Sequence, residues 1–398
     1  MADAAASGEW VNWSGAVRCT PRVIAAPQSD AEVAALVTQA GRDGLVVRVA
    51  GSGHSFTPVV ATSGMVLDLA GLSGIVALDP AARQAEIRAG TKISAMGEAL
   101  RTGGLALANQ GDVDVQAICG ALGTGTHGTG RTLGSLSTQI AKLRLVTAEG
   151  DIIEVSKESD GELFEAARVS LGMLGITVSA TLNLVPAYRL HERTWLTDVA
   201  TCFAEIDEHI AKNRHFEFFW RPQYGLCDMK TLNPSEAAPD PLPDREGERI
   251  DHSDRIFPSQ RLRRFNEMEF AIPAAAGPDC FREIWTLMRE RYPEVNTWPI
   301  EYRTQAADEI FMSPAYGRAT ITISIHQGAE RPYEAFFRDA EAIFRNHRGR
   351  PHWGKIHYFT AKDLAAAYPC WEQFIRVRER MDPKGRFLNG YLRGLFLG

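Results

Sequence analysis

Gly120-Ala121-Leu122-Gly123-Thr124-Gly125-Thr126-His127-Gly128-Thr129-Gly130 places five glycines and three threonines in eleven residues. A structural turn seldom needs so many. Read as a loop, such a stretch clears bulky side chains from the path of a large anionic ligand and offers it backbone N–H groups and hydroxyls. Upstream, Val47-Arg48-Val49-Ala50-Gly51-Ser52-Gly53-His54-Ser55 reads as a strand running into a second glycine loop that suits the close approach of a pyrophosphate. It lacks the Gly-Lys-Ser/Thr ending of a P-loop. Its G-x-G is followed by His54-Ser55-Phe56 rather than x-x-G, so it is not the Rossmann fingerprint either. A third element, Leu171-Gly172-Met173-Leu174-Gly175-Ile176, leads into an apolar strand whose backbone is placed to edge a flat ring.

Around these loops the first 185 residues break into short apolar runs separated by glycines, the pattern of alternating strands and helices. Strands are predicted at Val46 to Ala50, Met65 to Asp68, Gln84 to Ala89, Ile140 to Thr147, Ile152 to Val155 and Gly175 to Asn183. Helices are predicted at Ser29 to Gly41 and Ile93 to Thr102. After Pro186 the composition turns aromatic and charged, with Phe216, Phe218, Phe219 and Trp220 in one strand-like stretch. A second domain is predicted from there to about residue 345. Pro and acidic residues between Asn233 and Asp251 predict a long exposed loop. Further helices fit Asp279 to Arg291, Pro332 to Asn346 and Pro369 to Met381, and Asp382-Pro383-Lys384-Gly385 reads as a turn.

A net charge of -6 offers no basic field for nucleic acid. The local cluster Arg261, Arg263 and Arg264 reads as a solvated face. Six cysteines are scattered without zinc-like or C-x-x-C spacing, which predicts free thiols and no metal site. Met1 to Trp10 lacks a basic region followed by an apolar run, and no window reaches the ~18 apolar residues of a membrane span. No membrane partner and a cytoplasmic location are the expectations.

Three later stretches carry candidate chemistry. Residues two apart on a strand share a face, so Glu301 and Arg303 in Trp298-Pro299-Ile300-Glu301-Tyr302-Arg303 emerge together, as a surface ion pair or as part of a site. In Ala319 to His326, Thr320, Thr322, Ser324 and His326 face one way and Ile321, Ile323 and Ile325 the other; the polar face suits solvent or a polyhydroxylated ligand. His352-Trp353-Gly354-Lys355 reads as a strand on which Lys355 shares a face with Trp353 and His357. A lysine flanked by aromatics is commonly snorkelling.

Taken together, Gly51 to Ser55, Leu105 to Gly111 (LALANQG), Gly120 to Gly130, Ala166 to Ile176 (AARVSLGMLGI), Phe265 to Pro273 (FNEMEFAIP), Ile300 to Arg303 (IEYR) and His352 to Lys355 (HWGK) follow one order from end to end of the chain. That order resembles the vanillyl-alcohol-oxidase-type flavoproteins, and within them the aldonolactone and alditol oxidases, most of all those acting on L-gulono-1,4-lactone. Asp112-Val113-Asp114-Val115 resembles the alditol branch as much as the lactone one.

The resemblance implies an α+β fold. Its FAD-binding domain, residues 1–185, would have subdomains of about 1–70 and 71–185. An antiparallel-sheet cap domain, 186–345, would follow, and a C-terminal segment, 346–398, would return to the FAD domain. FAD would attach covalently through His54 and be held by Val49, Ala50, Gly51, Ser52, Gly53, Ser55, Gly111, Asp112, Gly120, Ala121, Gly123, Thr124, His127, Gly128, Gly175 and Ile176. Asn109, Thr322, Ser324 and His326 would bind substrate. Glu301, Arg303 and Lys355 would form the catalytic set: Arg303 a permanent cation for developing negative charge, Lys355 an acceptor of the hydroxyl proton if burial beside Arg303 lowers its pKa, and Glu301 a holder of a substrate hydroxyl that balances the arginine. The implied reaction is oxidation of a hydroxyl of a sugar lactone or polyol, with molecular oxygen reduced to hydrogen peroxide. An alditol oxidase, or a lactone dehydrogenase using a quinone or cytochrome, is the alternative.

Overall fold

The computed structural model describes residues 8–240, 246–259, 263–293 and 298–398. Arg261, in the three-arginine cluster, and residues 1–7 of the N-terminal stretch lie outside these residues. Among the described residues, no helix is long and apolar enough to cross a membrane.

Two small sheets, of three and five strands, and one large one organise the described residues, beside two two-stranded pairings. Val23–Ala25, Met65–Asp68 and Val47–Ala50 form a parallel three-stranded sheet with Met65–Asp68 in the middle. The helix Asp30–Arg42 makes the crossover; Ser29 caps it by accepting from the Glu32 N–H, and it buries Val33, Val37 and Ala40. A five-stranded antiparallel sheet follows in the order Ile152–Ser156, Ile140–Val146, Ile176–Asn183, Gln84–Arg88, Ile75–Asp79.

The third sheet has eight antiparallel strands, ordered Glu248–His252, Arg189–Asp198, Leu226–Ser235, His215–Arg221, Ile300–Gln305, Thr320–Gly328, Phe265–Pro273, Arg350–Pro351. One of its faces is apolar. Phe218 stacks on Tyr302 with ring centroids 4.8 Å apart, and both pack on Phe281 of the helix Gly277–Arg291. Helices Val199–Lys212 and Glu334–Asn346 cover the same side. Period-two alternation then forces the intervening residues onto the opposite face, toward the two small sheets.

The chain end returns to the first sheet. Val47 N–H donates to Arg386 O at 2.8 Å, the buried Arg48 guanidinium donates to Phe387 O at 2.6 Å, and Asn389 Nδ2 donates to Pro58 O and Ala61 O at 2.8 Å. Burial lowers the Arg48 pKa to about 10. The Asp382 to Gly385 turn forms as read, with Gly385 at φ 65° and its N–H on Asp382 O.

Two sequence expectations fail and one holds only in part. Gly120 to Gly130 does not run as a loop throughout: Ile118–Thr124 is helical and stops at Gly125, whose φ of 75° makes a left-handed cap. The exposed loop read from Asn233 to Asp251 is shorter than expected, because its two ends are strand: Leu226–Ser235 and Glu248–His252 both pair with Arg189–Asp198, while residues 236–239 and 246–247 lie outside the strands and 241–245 outside the described set. His352 to Lys355 is a turn, not a strand, closed by Lys355 N–H on His352 O at 3.0 Å. Trp353 and Lys355 therefore part company. Trp353 is buried against Tyr368 and Phe396, and Lys355 points the other way, to Glu267.

Candidate active site

A cleft of about 1230 Å³, open to solvent at its mouth, lies between the two small sheets. One wall is the Val47–Ala50 strand and the Gly51 to Ser55 loop, the second the Ile118–Thr124 helix, the third Ser170 to Thr177. Of the predicted cofactor residues, Val49, Ala50, Gly51, Ser52, Gly53, His54, Ser55, Gly120, Ala121, Gly123, Thr124, Gly175 and Ile176 line it. On the helix the wall is in part bare main chain. A Cβ added at Gly120 or Gly123 would meet nothing within 4 Å, so the helix presents bare main chain to open space. A long cleft of this kind fits a dinucleotide such as FAD, which needs backbone donors and room rather than bulky neighbours.

Four predicted cofactor residues lie outside that lining. Gly111 and Gly128 mark where two segments cross: a Cβ on Gly128 would sit 2.2 Å from Gln110 O, and one on Gly111 3.0 Å from His127 O. Asp112 accepts from Ser259 Oγ at 3.0 Å, and its charge acts on Glu301, Arg303 and Lys230. His127 reaches the large sheet, its Nε2 2.6 Å from Glu269 Oε1 and its Nδ1 2.8 Å from Gly128 O. The reason is topological, since the segment after Gly125 leaves the cleft and runs along the polar face.

On that face the strand register assembles the site. Glu301 lies opposite Ser324, and Arg303 opposite Thr322; Ser324 is opposite Glu269, and His326 opposite Glu267. Glu301, Arg303, Thr322, Ser324 and His326 are thus brought together as predicted. Glu267 and Glu269, inside the Phe265–Pro273 stretch, were not singled out from sequence; their i, i+2 spacing on a strand was the available signal. Glu269 is the hub, accepting from His127, from Arg303 Nη2 at 2.6 Å and from Ser324 Oγ at 2.7 Å.

The three buried carboxylates differ electrostatically. Burial opposes charge on Glu269, but His127 and Arg303 hold its pKa well below the ordinary range. Burial likewise opposes charge on Glu267, and Lys355 and His326 outweigh it. Burial pushes Glu301 up to about 8, more than Arg303 at 3.3 Å draws it down. Arg303 is kept protonated against burial by Glu301 and Glu269. Glu269, not Glu301, is its nearer counter-ion. Lys355 pairs with Glu267 rather than sitting against Arg303, and its ammonium lies 5.0 Å from the Phe56 ring centroid.

Several buried polar atoms here have no partner: Glu301 Oε1, Arg303 Nε, Thr322 Oγ1 and, from the other side of the interface, Asn109 Oδ1. Buried polar groups are nearly always paired, so orphans gathered in one place mark where a polar ligand would bond. The two regions meet at His54. Phe56 N–H donates to Gly354 O at 2.7 Å, which draws the Lys355 turn onto the His54 loop. His54 stacks on Trp13 at 5.1 Å, and burial, then the charges of Lys355 and Lys92, lower its pKa to about 4.

Residues 21–156 match the FAD binding domain family, and residues 180–249 and 242–395 match the D-arabinono-1,4-lactone oxidase family. The chain belongs to the D-arabinono-1,4-lactone oxidase family. It is an FAD-dependent oxidoreductase of the vanillyl-alcohol-oxidase-type fold. It is 38% identical to L-gulono-1,4-lactone dehydrogenase of Mycobacterium tuberculosis (strain ATCC 25618 / H37Rv), across 96% of this chain and 98% of that protein. It is 29% identical to L-gulonolactone oxidase of Bos taurus, across 97% of each, and 27% identical to alditol oxidase of Streptomyces sp., across 97% of this chain and 99% of that one. A crystal structure of cholesterol oxidase from B. sterolicum superposes with a TM-score of 0.86 over 98% of this chain and 96% of that chain; at 16% identity the likeness is one of fold.

Proposed function

We propose that this member of the family oxidises a hydroxyl of an aldonolactone of the L-gulono-1,4-lactone kind, with FAD in the glycine-walled cleft and the lactone on the polar face of the large sheet. The observation that carries the reading is the group of orphaned atoms on Glu301, Arg303 and Thr322, a donor and two acceptors suited to a polyhydroxylated ligand. Bound FAD supplies a hydride acceptor at its N5. Arg303, always charged, donates to the substrate oxygen as negative charge develops there. Glu301 Oε1 holds a substrate hydroxyl. The hydroxyl proton passes by way of Lys355 Nζ, which takes it as it gives its own to the ionised Glu267 beside it. His54, neutral because its pKa is depressed, is suited to a covalent bond to the flavin. The six cysteines are all free, in keeping with a cytoplasmic site.

In the first reading molecular oxygen takes the electrons and yields hydrogen peroxide. The second, a dehydrogenase passing them to a quinone or cytochrome, is favoured by the likeness to the mycobacterial dehydrogenase. Anaerobic mixing of purified yellow protein with L-gulono-1,4-lactone, related lactones and alditols should bleach the flavin with the lactones. Recolouring on admission of air, with one peroxide per turnover, supports the oxidase; bleaching that persists in air supports the dehydrogenase. Acid precipitation should leave flavin on the wild-type protein and release it from His54→Ala.

A further inference from the structure

The row of polar side chains does not end at Glu301. Past Ser324 and Glu301 the next cross-strand neighbours are His326 and Pro299, whose Nδ1 and carbonyl oxygen lie 2.9 Å apart. They form one wall of a second cleft, about 1180 Å³ and open to solvent. Phe219, Arg221, Tyr224, Phe265 and Trp298 build much of the rest. Phe219 lies directly opposite Glu301, and Arg221 is two residues further along that strand. At about 3.4 Å per residue this places Arg221 ~7 Å beyond, roughly the reach of one more sugar ring.

The lining combines flat rings with planar polar groups. Trp298 is tilted against Phe265 at 5.3 Å, and its Nε1 is buried without a partner. Arg221 is paired with Asp228 on the rim, beside Gln223. Tyr224, 64% exposed, is one of the few large aromatic side chains left in water. A saccharide ring matches both features, because its C–H face covers an aromatic surface while its hydroxyls bond planar side chains and an indole N–H. A flat apolar ligand such as a quinone would strip water from Arg221, Asp228 and Gln223 with nothing in return.

We propose that this cleft is a second sugar subsite and that the enzyme acts on aldonolactones carrying a further glycosyl ring. The proposal rests on the polar row being the site of lactone oxidation. It is tested by anaerobic flavin reduction with L-gulono-1,4-lactone and with the aldonolactone of a disaccharide. The disaccharide lactone should have the higher kcat/KM, and Trp298→Ala should lower the ratio between the two substrates about tenfold, the range of one aromatic contact. Trp298 packs between Phe265 and the Arg263 guanidinium, 5.0 Å from its ring, so Tyr224→Ala and Arg221→Ala serve as exposed second variants, each lowering the ratio by about threefold. Bleaching by the small lactone alone, or a ratio unmoved by all three variants, overturns the subsite and leaves the lactone reading standing. Bleaching by neither lactone overturns both. A Trp298→Ala defect confined to reoxidation by a quinone overturns the subsite in favour of an acceptor site.

Discussion

The cleft between the small sheets is lined by glycines and apolar side chains, with Gly120 and Gly123 facing open space, whereas the polar face of the large sheet is crowded with buried charge. In the cleft, space is kept by leaving side chains out, so Gly120 and Gly123 face nothing. On the sheet, Glu267, Glu269, Glu301, Arg303 and Lys355 hold one another in place. A glycine wall tolerates changes that stay out of the void. A buried charge network tolerates almost none, because removing one partner strands another. The two regions should therefore respond to mutation in different currencies, ligand occupancy on one side and folding stability with rate on the other.

The largest effect is expected at Glu269, which takes three donors at once. Glu269→Ala leaves His127 without its carboxylate and Arg303 with Glu301 alone in a buried site, and should cost about 3–5 kcal/mol of unfolding free energy in denaturant titration. A loss under ~1 kcal/mol would mean that the network is not what holds the sheet to the flavin side. Arg303→Ala comes next. If it stabilises charge present mainly in the transition state, flavin reduction should slow about a hundredfold, the equivalent of ~3 kcal/mol, with far less effect on substrate binding. A near-normal rate in rapid anaerobic mixing would return Arg303 to a structural role.

The cleft should show the opposite sign. Gly120→Leu adds a good helix former where a Cβ meets nothing, so the flavin-free protein should gain up to about 1 kcal/mol. The same side chain projects into the void, and FAD content of the purified variant should fall about tenfold or more, an amount comparable with burying one leucine against a polar ligand. Retention of full flavin would place the dinucleotide elsewhere in the cleft.

These regions also differed in how far the sequence disclosed them. Glycines at Gly51, Gly53, Gly120 and Gly123 mark the cleft in the linear sequence, and the strand read at Val46 to Ala50 and the helix read at Ile93 to Thr102 from local apolar periodicity form at Val47–Ala50 and Ile93–Thr102. The resemblance supplied the fold and pointed to Glu301, Arg303 and Lys355. Glu267 and Glu269 stayed hidden because their role depends on strand register: Glu269 becomes a hub only once Ser324 lies opposite it and His127 arrives from the other side. Strand-like spacing misled at Trp353 and Lys355, where a turn separates side chains that alternation would have aligned. The helix at Ile118–Thr124 was missed because glycine lowers helix propensity, and packing of Ile118, Ala121 and Leu122 overrides that preference.

A pH-dependent effect sharpens the electrostatics of the charged face. A free glutamate titrates near 4.5, whereas burial pushes Glu301 up to about 8. Between those values the unfolded chain gives up this proton and the native protein keeps it, so the native state binds more protons and stability falls as pH rises from about 5 to 8. Glu267 and Glu269 act in the opposite sense. Their pKa values are lowered on folding, so their contribution is present above the ordinary carboxylate range and fades as pH drops through it. Glu301→Gln removes the first dependence and leaves the second. The melting temperature of this variant minus that of the wild type should therefore rise from pH 5 to 8 and level off above, by about 2 °C for each kcal/mol recovered. Below pH 5 the two proteins should lose stability in parallel. Curves that stay parallel from pH 5 to 9 would show that Glu301 is ionised in the native state, with Arg303 shared evenly between it and Glu269.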